Sequence, residues 1–114
     1  MTDQELLELA AKAAGIDGGW SPSYEAIHVN TAPMRNFVLW NPFTDDGDAL
    51  RLAVKLKLSV KHGVDLFDES NAMSAYAYYG DVGECNFEPH ESDPYAATRR
   101  AIVRAAAEIG KGME

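Results

Sequence analysis

The sequence predicts one α+β domain, in which three helices pack on a single, mostly antiparallel sheet of about four or five strands. Three segments carry apolar residues at helical spacing, and the segments between them alternate apolar and polar residues as strands do. Most connections between the predicted strands are short, which favours antiparallel neighbours over a doubly wound parallel sheet. A chain of 114 residues has the size of one domain, spanning 1–114, with the order α-β-β-α-β-β-β-α.

The first helix is predicted over residues 3–14. Thr2 and Glu5 have the spacing of a capping box, and Gly15 stands where a left-handed C-terminal cap is expected. The predicted buried stripe is Leu6, Leu9, Ala10 and Ala13. A glycine-rich loop is expected over 17–22, followed by strands over 24–29 and 36–40, with Pro33 between them.

The second helix begins at a cap formed by Asp45 or Asp46, and Asp48 adds a charge that the helix dipole favours. It is predicted to end at Leu56. Its stripe is Ala49, Leu52, Ala53 and Leu56, widened by Leu50 and Val54.

A strand follows from residue 58 and is expected to end at His62-Gly63, before an irregular acidic segment over 64–72. Residues 73–88 predict a β-hairpin with its loop at 80–83; Tyr76 and Tyr78 share one face, and Ala75 and Ala77 the other. The last helix opens at Ser92-Asp93-Pro94 and is expected to stop at Gly110. Its predicted buried stripe is Ile102, Ala105, Ala106 and Ile109.

Charge and composition exclude several classes of function. The net charge of −8 disfavours nucleic acids and anionic membrane surfaces as partners, and no apolar run is long enough for a membrane span. The first residues are acidic, where a signal peptide is basic. The lone Cys85 cannot form an internal disulfide, so we expect a reducing, cytoplasmic compartment.

The densest polar cluster is Asp45, Asp46 and Asp48. A calcium loop would need a bidentate Glu where this chain has Leu56, so that interpretation fails. A magnesium site on two of the aspartates stays open, but helix capping explains the same residues without a ligand. His28, His62 and His90 lack the spacing of a helical zinc pair. With no nucleophile elbow or phosphate-binding glycine loop, the sequence predicts no catalytic residue, no metal and no cofactor.

Arg99 and Arg100, with Arg104 one turn later, form the basic concentration of an acidic chain. They favour ion pairs with carboxylates around Glu88 and Glu91, or an anion-binding surface. Trp20, Trp40, Tyr76 and Tyr78 are core aromatics or the wall of a pocket. The candidate ligand- or partner-binding residues are therefore Trp40, Asn41, Asp45, Asp46, Asp48, Arg99 and Arg100.

Three strings of the sequence are distinctive: ELLELAAKAAG at 5–15, WNPFTDDGDALRLAVKL at 40–56 and DPYAATRRAIVRAAAEIG at 93–110. Together they resemble the phage ABA (α-β-α) sandwich domains, a family of small bacteriophage and prophage proteins. Phe43 stands where a common form of that family has leucine, which keeps the position apolar. The resemblance implies an α-β-α sandwich and a place inside a bacterial host, and it carries over no catalytic residue.

Three hypotheses about function follow from these observations. The first is a non-enzymatic phage or prophage accessory protein that binds a host or phage protein or self-associates. The alternative is a binder of a small anionic, nucleotide-like ligand, since arginines near a helix start suit anions. The third is a metal-dependent hydrolase built on Asp45, Asp46 and Asp48 with one of the histidines.

Overall fold

A computed structural model of the chain describes residues 1–30, 38–64, 73–79 and 86–113, without the side chains of 86 and 87. The described residues form three helices and six strands, which confirms an α+β fold. The helices are α1 (Asp3–Ala14), α2 (Asp46–Leu56) and α3 (Pro94–Lys111). The strands are β1 (Gly18–Ser21), β2 (Ala26–Val29), β3 (Val38–Trp40), β4 (Leu58–Val64), β5 (Met73–Tyr79) and β6 (Asn86–Pro89).

The strands form two small antiparallel sheets, so the prediction of a single sheet is wrong. Sheet A has the order β1-β2-β3 and sheet B the order β4-β5-β6. Sheet A packs on α1, sheet B packs on α3, and α1 packs against α3. Alternation along a strand defines its two faces but not its partner, which is why the sequence could not separate the two sheets.

Strand β1 lies within the segment that was expected to be a loop. Gly18 and Gly19 are turn residues by composition, but here they pair with Val29 and His28. A Cβ at residue 18 would lie 2.5 Å from the carbonyl oxygen of His28, so the close approach of the two backbones requires glycine. The strand predicted to start at residue 24 begins at Ala26, because the chain turns through 22–25.

Sheet B confirms the predicted hairpin and extends the strand before it. Strand β4 continues through His62 and Gly63 to Val64, because β5 pairs with it along its full length. Ala75 and Ala77 are fully buried while Tyr76 and Tyr78 are partly exposed, which confirms the predicted faces of β5. The hairpin loop at 80–83, Cys85, Pro33 and the acidic residues 65–72 lie outside the described residues.

The predicted N-caps are confirmed in all three helices. The side chains of Thr2, Asp45 and Asp93 accept hydrogen bonds from the backbone N–H groups three residues further on, at 3.1, 2.8 and 3.0 Å. Gly15 ends α1 in the left-handed conformation, at φ 71°. The sequence predicts these caps because each one joins residues that are close together in the chain.

The C-terminal end of α3 differs from the prediction. Gly110 lies buried inside the helix, which continues to Lys111 and ends at Gly112. A Cβ at residue 110 would lie 2.0 Å from the carbonyl oxygen of Leu9 in α1. Gly110 therefore permits backbone contact between α1 and α3 and does not stop the helix.

The buried face of α2 is narrower than predicted. Ala49, Leu52 and Ala53 are buried, whereas Leu50 and Val54 are 64% and 68% exposed. The widening of the stripe by these two residues is therefore wrong. Their exposure leaves apolar side chains on the outer surface of α2.

Candidate functional site

An apolar groove of about 490 Å³ lies between α2, β4 and the N-terminal half of α3. Its volume falls within the range of known small-molecule and side-chain pockets. Its apolar lining consists of Ala49, Leu50, Ala53, Val60, Pro94, Tyr95 and Ile102. We refer to this feature as the apolar groove.

The groove forms where small buried residues lie next to large exposed ones. Ala49 and Ala53 are buried and extend only a methyl group from α2. Leu50 stands beside them, and Tyr95 stands on α3 with 71% of its surface exposed. Exposed large apolar side chains around a concavity are typical of an interaction site, while scattered ones are ordinary.

An ion pair is part of the groove lining. Arg99 donates from its Nε to the carbonyl oxygen of Phe43 at 2.7 Å, and from an Nη to Asp46 Oδ1 at 2.6 Å. The side chain of Arg99 is 16% exposed, that of Asp46 74%. Arg99 therefore joins α3 both to the turn before α2, through Phe43, and to the first residue of α2, through Asp46.

The groove lining also includes two histidines. His62 Nδ1 lies 2.9 Å from His90 Nε2, and the rings meet edge to face with their centroids 5.0 Å apart. One nitrogen must carry the proton and the other accept it, so the tautomers of the two rings are coupled. These residues are 28 positions apart in sequence, so no local spacing could have indicated the pair.

Asn41 organises the turn that precedes α2. Its backbone N–H donates to Asp48 Oδ2 at 3.0 Å, and its side-chain oxygen accepts from the Phe43 N–H at 2.9 Å. Its side-chain amide donates to the Glu25 carbonyl oxygen at 3.0 Å, which ties the turn to sheet A. The backbone N–H, the side-chain oxygen and the side-chain amide of Asn41 therefore all hold this turn in place.

The three candidate aspartates are all engaged by other groups of the chain. Asp45 caps α2 and lies 3.7 Å from Arg51, which also donates to Asp48 at 2.7 Å, and Asp46 pairs with Arg99. Asn41, Asp45 and Asp48 line a second, smaller hollow of about 350 Å³. No group of three or more His, Cys, Asp or Glu side chains suited to a metal ion occurs within the described residues.

The two adjacent arginines of α3 contact different carboxylates. Arg100 lies 3.3 Å from Asp3 and 3.7 Å from Glu88, and its guanidinium lies over the Phe43 ring at 5.3 Å. Arg104 also pairs with Glu88, at 2.6 Å, which confirms the expected ion pairs with that residue.

The structure thus divides the predicted set of site residues. Asp46 and Arg99 line the apolar groove, Asn41, Asp45 and Asp48 line the smaller hollow, and Trp40 is buried in the core. Sequence reasoning missed Leu50, Tyr95 and the histidine pair as groove residues. The available signal was that Leu50 lies at the edge of its helical stripe, where an apolar residue is not needed for the core.

Comparisons with known proteins identify no relative. No family model, no curated protein and no solved structure matches the chain. The resemblance to phage ABA sandwich domains accordingly stays a prediction. No helix formed by the described residues is long and apolar enough to cross a bilayer.

Proposed function

We propose that this chain is a non-enzymatic binding module whose apolar groove receives apolar side chains of a protein partner. The observation that carries the proposal is the exposure of Leu50 and Tyr95 on the two sides of a concavity with an apolar lining. Burying two such side chains against a partner contributes about 1.5–3 kcal/mol each, which makes them suited to be interface anchors. From the resemblance, we propose a phage or prophage accessory protein in the host cytoplasm.

The charge of the chain supports a partner with a neutral or basic surface. At a net charge of −8, two copies repel each other, and an acidic partner would be repelled in the same way. Asp46 is mostly exposed, and Glu91 and Asp93, just before α3, are also exposed, so a basic side chain next to the inserted apolar group would find carboxylates nearby. This complementarity raises the rate and the specificity of association more than its affinity.

The small-anion hypothesis receives less support. Arg99 is paired with Asp46, and Arg100 lies near Asp3 and Glu88, so an anion would have to displace carboxylates from both arginines. The hydrolase hypothesis is weakened because Asp46 lines a different cavity from Asp45 and Asp48, and because Arg51 already pairs with both of those carboxylates. A thermal-shift screen with nucleotides and Mg²⁺ tests both, because a ligand of the folded state raises the melting temperature.

The test of the binding proposal compares two exposed residues of the same helix. Leu50 lines the apolar groove, while Val54, one turn later, is equally exposed but is not among its lining residues. Wild-type protein, Leu50→Asp and Val54→Asp are used as bait in a phage-carrying bacterium with chemical cross-linking. Captured partners are then purified, and their affinities for the three baits are measured.

We expect a partner whose affinity falls at least about tenfold with Leu50→Asp and changes little with Val54→Asp. A partner bound equally by both variants would use another surface and would contradict the proposal. Light scattering on the purified chain shows whether it self-associates. If it forms a dimer that Leu50→Asp disrupts, the partner in the groove is a second copy of the chain and not a foreign protein. A monomer with no captured partner would also count against the proposal.

A further inference from the structure

We infer that His62 and His90 form a bidentate site for a borderline transition-metal ion such as Zn²⁺, Ni²⁺ or Cu²⁺. The inference does not depend on the proposed function, because it rests on two imidazoles and not on what fills the groove. His62 Nδ1 and His90 Nε2 point at each other across 2.9 Å. Two histidine side chains at exposed positions are usually free to turn away from each other, so this short separation indicates a preformed pair.

The register of sheet B brings these side chains to one place. His62 on β4 lies opposite Ala75 on β5, and Ala75 lies opposite Glu88 on β6. His90 follows the last residue of β6, and its ring reaches that of His62 on the same side of the sheet. Its backbone N–H donates to the Met73 carbonyl oxygen at 2.8 Å, which fixes its position relative to β5.

Ala75 makes the meeting of the two rings sterically simple. It is fully buried and extends only a methyl group on the strand that separates β4 from β6. Ala75 is the residue of β5 that pairs with His62, so the side chain next to His62 on that strand is only a methyl group. The histidines can therefore approach across an intervening strand.

The distance between the nitrogens is close to that of a metal chelate. Tetrahedral zinc with Zn–N bonds of 2.0–2.1 Å holds two imidazole nitrogens about 3.3 Å apart. Square-planar Cu²⁺ or Ni²⁺ with similar bonds holds adjacent nitrogens about 2.9 Å apart. A metal would thus replace the shared proton with a separation change of roughly 0.4 Å or less, and each ring would turn so that both nitrogen lone pairs aim at the ion beside the line that joins them.

The chemistry of the donors limits which ions fit. Neutral imidazole binds Zn²⁺, Cu²⁺ and Ni²⁺, whereas Mg²⁺ and Ca²⁺ require oxygen ligands. The described residues place no third His, Cys, Asp or Glu in a cluster with the pair. The remaining coordination positions are therefore open to water or to a donor atom from a molecule in the apolar groove, because both histidines are part of its lining.

The test uses protein without a histidine tag and four metals as probes. Isothermal titration with Ni²⁺, Zn²⁺ and Cu²⁺ is expected to show one equivalent bound, with no heat for Mg²⁺. Loss of a supporting residue next to a metal costs about 10–100-fold in affinity, so loss of a ligand in His62→Ala or His90→Ala should cost at least that. His28→Ala, at an exposed histidine of β2 outside the groove lining, is the matched control and should bind as wild type does.

Cu²⁺ electron paramagnetic resonance supplies a second measurement that does not depend on affinity. Wild-type protein should show two coordinated imidazole nitrogens, and each single variant one fewer. His62→Gln and His90→Gln repeat the test with side chains that stay polar. Circular dichroism shows whether a loss of binding in the alanine variants comes from misfolding. If a variant that carries both His62→Ala and His90→Ala binds the metals as wild type does, the inference is overturned. It is also overturned if His28→Ala loses as much affinity as the His62 and His90 variants.

The outcome is distinguishable from that of the proposed function. Leu50→Asp should keep the metal affinity of the wild type, because Leu50 is not a donor. Partner capture repeated with a chelator then shows whether the metal contributes to binding. A metal bound without any partner would support the histidine site alone.

Discussion

Helix α3 packs against two other helices in opposite ways. Against α1 it makes backbone contact, with Gly110 next to the carbonyl group of Leu9. Against α2 it leaves the apolar groove, although α2 presents the small residues Ala49 and Ala53 there. Small residues on a helix therefore do not by themselves produce a closed interface; they close it only where the two backbones converge.

The two sides also differ in what holds the helices. Both helices of the closed side contribute small residues to the buried core, among them Ala10 and Ala14 of α1 and Ala105 and Ala106 of α3. On the open side, Arg99 reaches from α3 to Phe43 and Asp46 and spans the gap with polar contacts. We interpret the open side as available for binding because Leu50 and Tyr95 of its lining remain exposed in the folded chain.

The largest effect is expected from Gly110→Ala, which attacks the closed side. The added methyl carbon would lie 2.0 Å from the Leu9 oxygen, so α1 and α3 must separate. Overpacking typically costs 1–3 kcal/mol, and a backbone neighbour that cannot rotate away places this change at about 3 kcal/mol or more. Urea denaturation measures the free energy of unfolding.

Gly112→Ala is the control for that substitution. Its nearest neighbour would be 3.6 Å away, which is ordinary contact, and its φ of −81° suits any residue. We expect a change within about 0.5 kcal/mol. If the two variants are equally stable, the backbone contact between α1 and α3 is absent and the contrast between the two sides fails.

The next effect is expected from Arg99→Ala, which removes the polar link across the open side. The Phe43 carbonyl oxygen and Asp46 lose a charged donor, at a cost of about 1.5–3 kcal/mol. Arg99→Lys should recover only part of this, because an ammonium group cannot reproduce the two directed bonds of the guanidinium. Denaturation curves of both variants give the two values.

Arg51→Ala serves as the comparison for Arg99. Arg51 also pairs with an aspartate, but the exposure is reversed: its own side chain is 72% exposed and that of Asp48 is 15% exposed. Without Arg51, Asp48 keeps its hydrogen bond from the Asn41 N–H, and the solvated guanidinium contributes little, so we expect a loss of only about 0–1 kcal/mol. A loss at Arg51 as large as that at Arg99 would show that surface charge and not the link across the groove is responsible.

The distance along the chain between contacting residues explains which features the sequence could predict. The caps at Thr2, Asp45 and Asp93 depend on contacts across three residues, and all were predictable. Strand β1 was missed because Gly18 and Gly19 favour a turn until β2 supplies the partner strand. Each sheet pairs only strands that are consecutive in sequence, and residue patterns do not show that β3 and β4, on either side of α2, belong to different sheets.

The candidate site was predictable to a smaller extent. Asp46 and Arg99 were identified as binding residues for their charge, yet they are 53 positions apart and they bind each other. His62 and His90 lack any local spacing that indicates a pair, and the register of sheet B brings them together. The groove itself is a gap between elements, and a gap has no residue pattern of its own.

The smallest effect, and the sharpest test of the contrast, is expected from Ala53→Leu on the open side. Residue 53 lies at the groove, so a larger side chain should fill free volume and stabilise the protein by about 0.5–1 kcal/mol while reducing partner binding. The same substitution at Ala101, fully buried in the core and outside the groove lining, should cost about 1–3 kcal/mol. Opposite signs for one substitution would establish that the groove is unfilled volume, because overpacking cannot stabilise. Equal losses in the two variants would mean that α2 already closes on α3, and the binding proposal would then lose its surface.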